Sequence, residues 1–545
     1  MSWIDPPPPR PATAGATAAA EGRSPGDRPG DTTRAGQQGW TTLALLAVIA
    51  GVLAFALGLT HLLPGVAYWD TGEMQTVGPV FGTAHPTGYP SYVVVGWLAS
   101  VLLQPLGSPA LAMNLLSAIL LGGAAASTTL LAGRLTGRPI LAVAGGAVVA
   151  VMPETRYLAT HADPHALHAL LVVVVVLLLV VWGDRRRAGR PRTDRWLVAA
   201  AIVYGFALGN QALALFLAPG IALYVLATDP RIVLRPRMIL GCAAAVAGTT
   251  AAVYLQLPLA VLLGRPLIYG APGTWDGFLY VVLGEQFRGS LGNPLANPST
   301  TLHAMANAVS GELGAVALAT IPAALVVAFR KPRYALLTVP AVAITLVFAA
   351  VYENAEIARY YVGPAILVLT WIVVAAAWVA DLAESAVRRA RAVDRSLAAA
   401  AGAAVSVTLA VAIVAFPVAR IPDTEGRVRY VEVLDARSYV DEAFRAFAQD
   451  ATVVSWWRYS TPLWYGTIVE GRRPDLRVVD DRTRLDEGLG SVADVIRAAL
   501  PTRPVYVIQG AVEIRKLQEG FVLEPVFAPA DTVVYRVVSE KGAAP

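Results

Sequence analysis

Charge is what this chain has least of. Asp, Glu, Lys and Arg make up 15% of its 545 residues, against 56% hydrophobic residues and a mean hydropathy of +0.56. A soluble domain carries roughly 25% charged residues, so a soluble globular class is excluded. Cysteine is nearly absent too. Cys242 stands alone, which rules out an intramolecular disulfide, and a single thiol inside an apolar run behaves as a small apolar residue. The net charge is +5, but the basic residues sit in short loops between apolar runs, so no nucleic-acid partner is expected. A cleavable signal peptide is not expected either. The first apolar run starts near residue 40 and is too long for a signal-peptide core.

What the chain has in quantity is apolar runs of roughly 20 residues, the length that crosses a bilayer. They fall at 40–61, 110–132, 139–152, 164–183, 196–209, 211–227, 239–262, 302–328, 335–351, 360–380 and 396–418, eleven in all. Residues 1–38 are Pro, Ala, Gly, Thr and mixed charge, a composition that cannot bury a core and is expected to be a disordered tail. Arginine and lysine cluster in alternate loops: Arg134 and Arg138, Arg185 to Arg195, Arg231 to Arg237, Arg330 to Arg333, and Arg388 to Arg395. Short loops rich in Lys and Arg stay in the cytoplasm. All five share that side only if residues 91–105 do not cross, so that segment is read as a helix lying in the outer interface, with Trp97 as an anchor. The N-terminus is then cytoplasmic. The loop at 62–109, the turn at 153–163, the loop at 263–301, the turn at 352–359 and everything from 420 on are extracytoplasmic.

From residue 420 the composition changes. Short β-rich runs at 451–457, 476–480, 504–510 and 532–538 alternate with helix-like stretches at 438–449 and 491–500. That alternation indicates a parallel α/β sheet. No Gly-rich phosphate fingerprint follows its first strand, so no nucleotide site is assigned there.

The residues that could carry chemistry concentrate in the loop Tyr68–Tyr92. Asp70 and Glu73 are three apart, on one face if the segment is helical. Two close acids can supply a base and an orienting or metal-holding partner. The same Asp-Thr-Gly-Glu could equally be a helix cap, with Glu73 reaching back. His85-Pro86-Thr87-Gly88-Tyr89-Pro90 is a turn-forming run in which His85 offers a donor or a ligand. His161, His165 and His168, with Asp163 among them, have helical spacing, although Pro164 interrupts the first turn. They read better as the polar lining of a cavity than as a metal site. Arg288 and Arg359, the latter with Glu356 three residues before it and Tyr360 beside it, could hold a lipid phosphate by bidentate contact. Interfacial anchoring by Tyr, Trp and Arg is the alternative.

An acidic pair straight after the first span, then His-Pro-x-Gly-x-Pro, resembles the GT-C superfamily of polyprenyl-phosphate-sugar-dependent glycosyltransferases. Within it the chain is most similar to the protein O-mannosyltransferase-like family of bacterial proteins, which has a vertebrate relative. Asp70/Glu73 match the family's Asp-x-x-Glu, and His85 to Pro90 its His-Pro-Pro-Gly-Tyr-Pro, with Thr87 for the second proline. Asn114-Leu115-Leu116-Ser117 opens the next span as in the family. Ala162 to Leu167 resemble its Ala-Glu-Val-Tyr-x-Leu, and Gly205 to Gln211 its Gly-Leu-x-Leu-Gly-Asn-His. Tyr254 to Pro258 and Leu463 to Asp475 match two further motifs. The resemblance covers about residues 40–482.

It implies a GT-C fold of about eleven transmembrane helices with a C-terminal extracytoplasmic α/β domain, in a multi-pass plasma-membrane protein. It implies an inverting transferase that moves a monosaccharide, plausibly mannose, from a polyprenyl-phosphate donor to a protein or glycan hydroxyl. Asp70 would be the general base, Glu73 and His85 orienting groups, and Arg288, Arg359 and Tyr360 the donor-phosphate site. Asp163, His165 and Glu356 would support them. No cofactor is required, a divalent metal being the less favoured variant. A transporter or flippase of a lipid-linked precursor is the alternative class, against which stands the lack of an internal repeat.

Overall fold

The computed structural model describes residues 29–390, 395–529 and 532–542. The expected disordered tail lies outside them up to residue 28, and from Pro29 on the chain is already helical.

The helices follow the apolar runs. After α1 (Pro29–Leu59) comes a loop that carries α2 (Trp69–Val80) and α3 (Pro90–Leu102). Next are α4 (Pro109–Thr136), α5 (Pro139–Val151), the short α6 (Pro153–Leu158), α7 (Pro164–Arg187) and α8 (Asp194–Asn210). A 3₁₀ turn leads into α9 (Ala218–Thr228), then α10 (Pro236–Tyr254), α11 (Gln256–Leu262) and α12 (Trp275–Val282). The bundle closes with α13 (Pro298–Leu313), α14 (Thr320–Arg330), α15 (Pro332–Val351), α16 (Val362–Ala390) and α17 (Arg395–Ala419). Many of these helices begin on proline, whose missing N–H costs nothing at the first helical position. Each of the eleven expected runs is helical. Eight stretches among the described residues are long and apolar enough to cross a membrane.

The helix α3 has 13 residues, about 20 Å at 1.5 Å per residue, short of a hydrocarbon core of about 30 Å. It packs against α2, α4 and α8. The helix α5 is equally short but is continued by α6 after Met152 alone. Small residues let α1 and α4 approach closely. A Cβ on Gly51 would sit 2.8 Å from the Gly122 carbonyl oxygen, the close backbone packing that membrane helices use.

Beyond α17, α18 (Ile421–Val433) and α19 (Ala436–Ala446) lead to an α/β unit. It contains β1 (Thr452–Ser455), α20 (Trp457–Trp464), β2 (Arg477–Val479), α21 (Asp481–Asp486), α22 (Val492–Ala499), β3 (Val505–Ile508), α23 (Ala511–Gly520), β4 (Phe521–Phe527) and β5 (Val534–Glu540). The strand order is β2-β1-β3-β5-β4. The sheet is mixed, which corrects the expectation of a parallel one. The strand β1 runs parallel to β2 and β3, but β5 is antiparallel to both β3 and β4. The β4–β5 link is too short for a parallel crossover, which needs a dozen residues or more. The strand β4 was not foreseen because Pro525 interrupts it, and proline is tolerated only on an edge strand such as this.

One face of the sheet packs under α19 and is continuous with the first loop. Val66, Tyr68 and Ala110 share a buried cluster with Tyr439, Val453, Tyr459 and Tyr506. This seam fixes α20 over the loop that holds the acids.

Candidate active site

The loop after α1 is fastened from below by α4. Asn114, fully buried, donates through Nδ2 to the Leu63 carbonyl (2.8 Å), while its Oδ1 accepts from Ala162 N (2.9 Å) and Gln75 Nε2 (2.8 Å). Gln75 in turn accepts from Ala67 N at 2.8 Å. Ser117 Oγ, one turn on from Asn114, accepts from Asp163 N at 3.2 Å. The Asn114 to Ser117 motif therefore ties the entry to α2 to the turn before α7, and sets Asp70 and Asp163 at one level.

The capping alternative for the two acids fails. The N-cap of α2 is Tyr68, with no side-chain cap bond. Glu73, buried, instead grips the next turn: it accepts from His85 N at 2.8 Å, and its second oxygen meets His85 Nδ1 at 2.5 Å. Burial alone would lower the affinity of His85 for a proton, but the Glu73 and Asp70 carboxylates outweigh it and raise its pKa to about 9. His85 is thus an imidazolium at neutral pH.

Asp70 points into open space, with its side chain about a quarter exposed. One oxygen accepts from Arg359 Nη2 (2.8 Å), the other from the Trp457 indole N–H (3.1 Å). Burial opposes its ionisation, but His85 and Arg359 prevail and hold its carboxyl below the usual range. Arg359 is buried and shared. Its Nη1 reaches Asp163 at 3.0 Å and Glu356 at 3.0 Å. Asp163 caps α7 by accepting from His165 N (2.7 Å) and also meets His165 Nδ1 (2.8 Å), while His165 Nε2 meets the Gln211 amide (2.6 Å). A continuous polar chain therefore runs Trp457, Asp70, Arg359, Asp163, His165, Gln211.

Trp457, Asp70, Arg359 and Gln211 border a cavity of about 790 Å³, a volume in the range of ligand sites. Of the expected site residues, Asp70, His85, Arg288, Glu356, Arg359 and Tyr360 line it. Glu73, Asp163 and His165 stand behind the lining and support it. The three histidines do not share a helical face: His161 precedes the start of α7 and bonds Thr160. The one group of side chains among the described residues with metal-holding geometry is Asp70, Glu73 and His85, whose ligand atoms lie within 4.8 Å of one another.

Trp457, Asp481, Arg482 and Leu485 line the cavity and were missed because they come from the C-terminal unit. Trp457 lies in a run read as strand. Arg482, on α21, stacks between the rings of Tyr269 (5.2 Å) and Trp464 (4.9 Å) and donates to the Ile268 carbonyl (2.9 Å). Arg288 is more than half exposed, with Glu285 3.5 Å away.

Residues 70–233 match the family model described as the Protein O-mannosyl-transferase TMEM260 N-terminal domain. Over 102 residues the chain is 41% identical to Protein O-mannosyl-transferase TMEM260 of Mus musculus. That match covers 18% of this chain and 14% of the relative, so the chain spans about a seventh of the relative's length. Among solved structures, ArnT from Cupriavidus metallidurans is similar in its apo state, with a TM-score of 0.57, 14% identity, and coverage of 92% of this chain and 98% of that one. The same protein bound to undecaprenyl phosphate gives 0.53 at 15% identity, covering 93% and 99%. These likenesses speak for the fold. The chain is a multi-pass helical membrane protein with the fold of ArnT, and its residues 70–233 are similar to the N-terminal domain of the TMEM260 protein O-mannosyl-transferase family.

Proposed function

We propose that this chain is a glycosyltransferase that moves a sugar, mannose in our reading, from a polyprenyl-phosphate donor to an extracytoplasmic protein or glycan hydroxyl. The acceptor oxygen attacks the anomeric carbon from the face opposite the phosphate. The carbon–oxygen bond to the phosphate breaks, configuration inverts, and Asp70 takes the hydroxyl proton. A carboxylate held ionised suits this task, because the acceptor proton becomes acidic only as its oxygen bonds to an electron-poor carbon.

The observation that carries the reading is the pairing, in one cavity, of an ionised and partly exposed Asp70 with cationic groups. As the donor bond breaks, charge builds on the leaving phosphate, and preorganised cations stabilise it. Arg288 and Arg482 are the groups we assign to it, with the His85 imidazolium and the Tyr360 ring bordering the same space. Arg359 already serves three carboxylates, so its role in this reading is to orient Asp70. With that much positive charge supplied by side chains, no metal is needed, and chelation with EDTA is expected to leave turnover unchanged.

The bundle end with the cavity is extracytoplasmic in this reading and the membrane is the plasma membrane. Arg134, Arg185 to Arg187 and Arg330 to Arg333 crowd the opposite end, as the positive-inside rule requires. The test is Asp70→Asn in membranes supplied with a labelled polyprenyl-phosphate sugar. Transfer should fall by about 10²–10⁴-fold, and near-normal transfer would overturn the base assignment. Release of free polyprenyl phosphate by the wild type separates transfer from flipping, since a flippase leaves its lipid intact.

A further inference from the structure

The far end of the bundle holds a second cavity. It opens about 250 Å³ between the last turns of α4, α7, α9 and α14 and the first turn of α15. The 28 residues of α4 separate its level from the acids by about 40 Å.

The charges around it do not balance. Arg134, Arg187, Arg330, Lys331 and Arg333 line the cavity, and Asp184 is the only acid among its lining residues. Asp184 already serves two of them, Arg134 Nε at 2.8 Å and Arg187 at 2.5 Å. Arg333 spends its Nε on the Ala227 carbonyl, 2.8 Å away. Arg330 and Lys331 have no carboxylate within salt-bridge distance among the described residues. Several other cations at this end are paired with acids. Arg138 meets Asp381 and Glu384, Arg186 meets Asp229, and Arg235 meets Asp229 and Asp194. The cleft itself therefore carries a surplus of positive charge.

The cleft is also built rather than merely charged. The Arg134 side chain is 8% exposed, and its guanidinium lies over the Trp40 ring at 5.0 Å. Leu135 and Val180 form an apolar wall, and Tyr224 and Tyr334 line another side. The positive end of α15 begins here at Pro332, and a helix N-terminus favours an anion.

We propose that this cleft binds the phosphate of an anionic phospholipid headgroup, a site separate from the donor cavity and on the other side of the membrane. A phosphodiester supplies the missing negative charge and accepts from several donors at once. Basic pockets between membrane helices are suited to such headgroups. The apolar wall gives the first carbons of the lipid a surface that a free ion does not need.

The experiment uses the purified full chain in micelles with phosphatidylglycerol or phosphatidylcholine, read by native mass spectrometry. A parallel arm titrates inorganic phosphate against thermal unfolding. The comparison protein is Arg330→Gln/Lys331→Gln, two exposed positions whose change does not threaten folding. The wild type should retain phosphatidylglycerol in preference to phosphatidylcholine. The double variant should hold it about 30-fold less tightly, at about 1 kcal/mol per basic residue near an anionic headgroup. Equal retention of the two lipids, or an unchanged variant, overturns the proposal. Stabilisation of the wild type by millimolar inorganic phosphate, lost in the variant and without lipid preference, overturns the lipid source and gives the cleft to a soluble phosphate.

Discussion

Arg359 is the residue whose loss should be felt most widely. It neutralises Asp163, whose side chain is 4% exposed, and it aims Asp70. Arg359→Met takes the guanidinium from a buried carboxylate, Asp163, and leaves it only its bonds to His165, a cost of up to about 3–5 kcal/mol. We expect a lowered unfolding temperature in detergent together with loss of transfer. His85 gives a pH signature. Its folded pKa, about 9, stands above the ordinary 6.5. The stability from its pairing with Glu73 is therefore full below pH 6.5 and is lost as pH rises through about 9. Transfer should fall along an alkaline limb over the same range. Glu73→Gln removes the carboxylate partner, so that limb should move to lower pH, which a pH–rate profile measures. These residues were legible in the sequence because Asp70, Glu73 and His85 lie within sixteen positions of one another and match a known pattern. Trp457 was not. Its bond to Asp70 joins residues 387 positions apart, and no local periodicity reports such a contact.

At the scale of the elements, apolar runs announced the helices well, because burial in lipid demands unbroken hydrophobicity and internally satisfied backbone groups. The sheet was harder. Its strands have three to seven residues, too few for alternation to give direction, so the antiparallel sense of β5 and the whole of the proline-bearing β4 escaped. The contact of α1 with α4 makes a sharper prediction. Gly122→Ile places a branched side chain where a Cβ would already be 2.8 Å from the Gly51 carbonyl oxygen. Overpacking of this kind costs about 1–3 kcal/mol or more. Thermal unfolding should show it, and because α4 carries Asn114, transfer should fall with it.

For the molecule as a whole, the cavity belongs to neither part alone. The bundle supplies Asp70, His85, Arg288 and Arg359, and the α/β unit supplies Trp457 and Arg482. Trp457→Phe keeps the ring but removes the hydrogen bond to Asp70. A bond to a charged group is worth about 1.5–3 kcal/mol, so kcat should fall roughly 10- to 100-fold with little change in unfolding temperature. The second unit is held to the bundle by more than this contact. Arg427 pairs with Glu154 at 2.6 Å, and Arg156 with Glu425 at 2.8 Å. Its β-rich composition set it apart from the bundle, while its share in the site could not be read before the two were seen together.

The reach of those bonds to Asp70 bears on the order of manufacture. The ribosome makes Asp70 early, Arg359 a further 289 positions on, and Trp457 387 positions on. Through most of synthesis the acid has neither partner, although the first helices are already in the bilayer. On the proposed reading, competence is switched on last, when the final unit has closed over the loop. A nascent chain stalled anywhere before residue 457 should occupy membrane and consume no sugar.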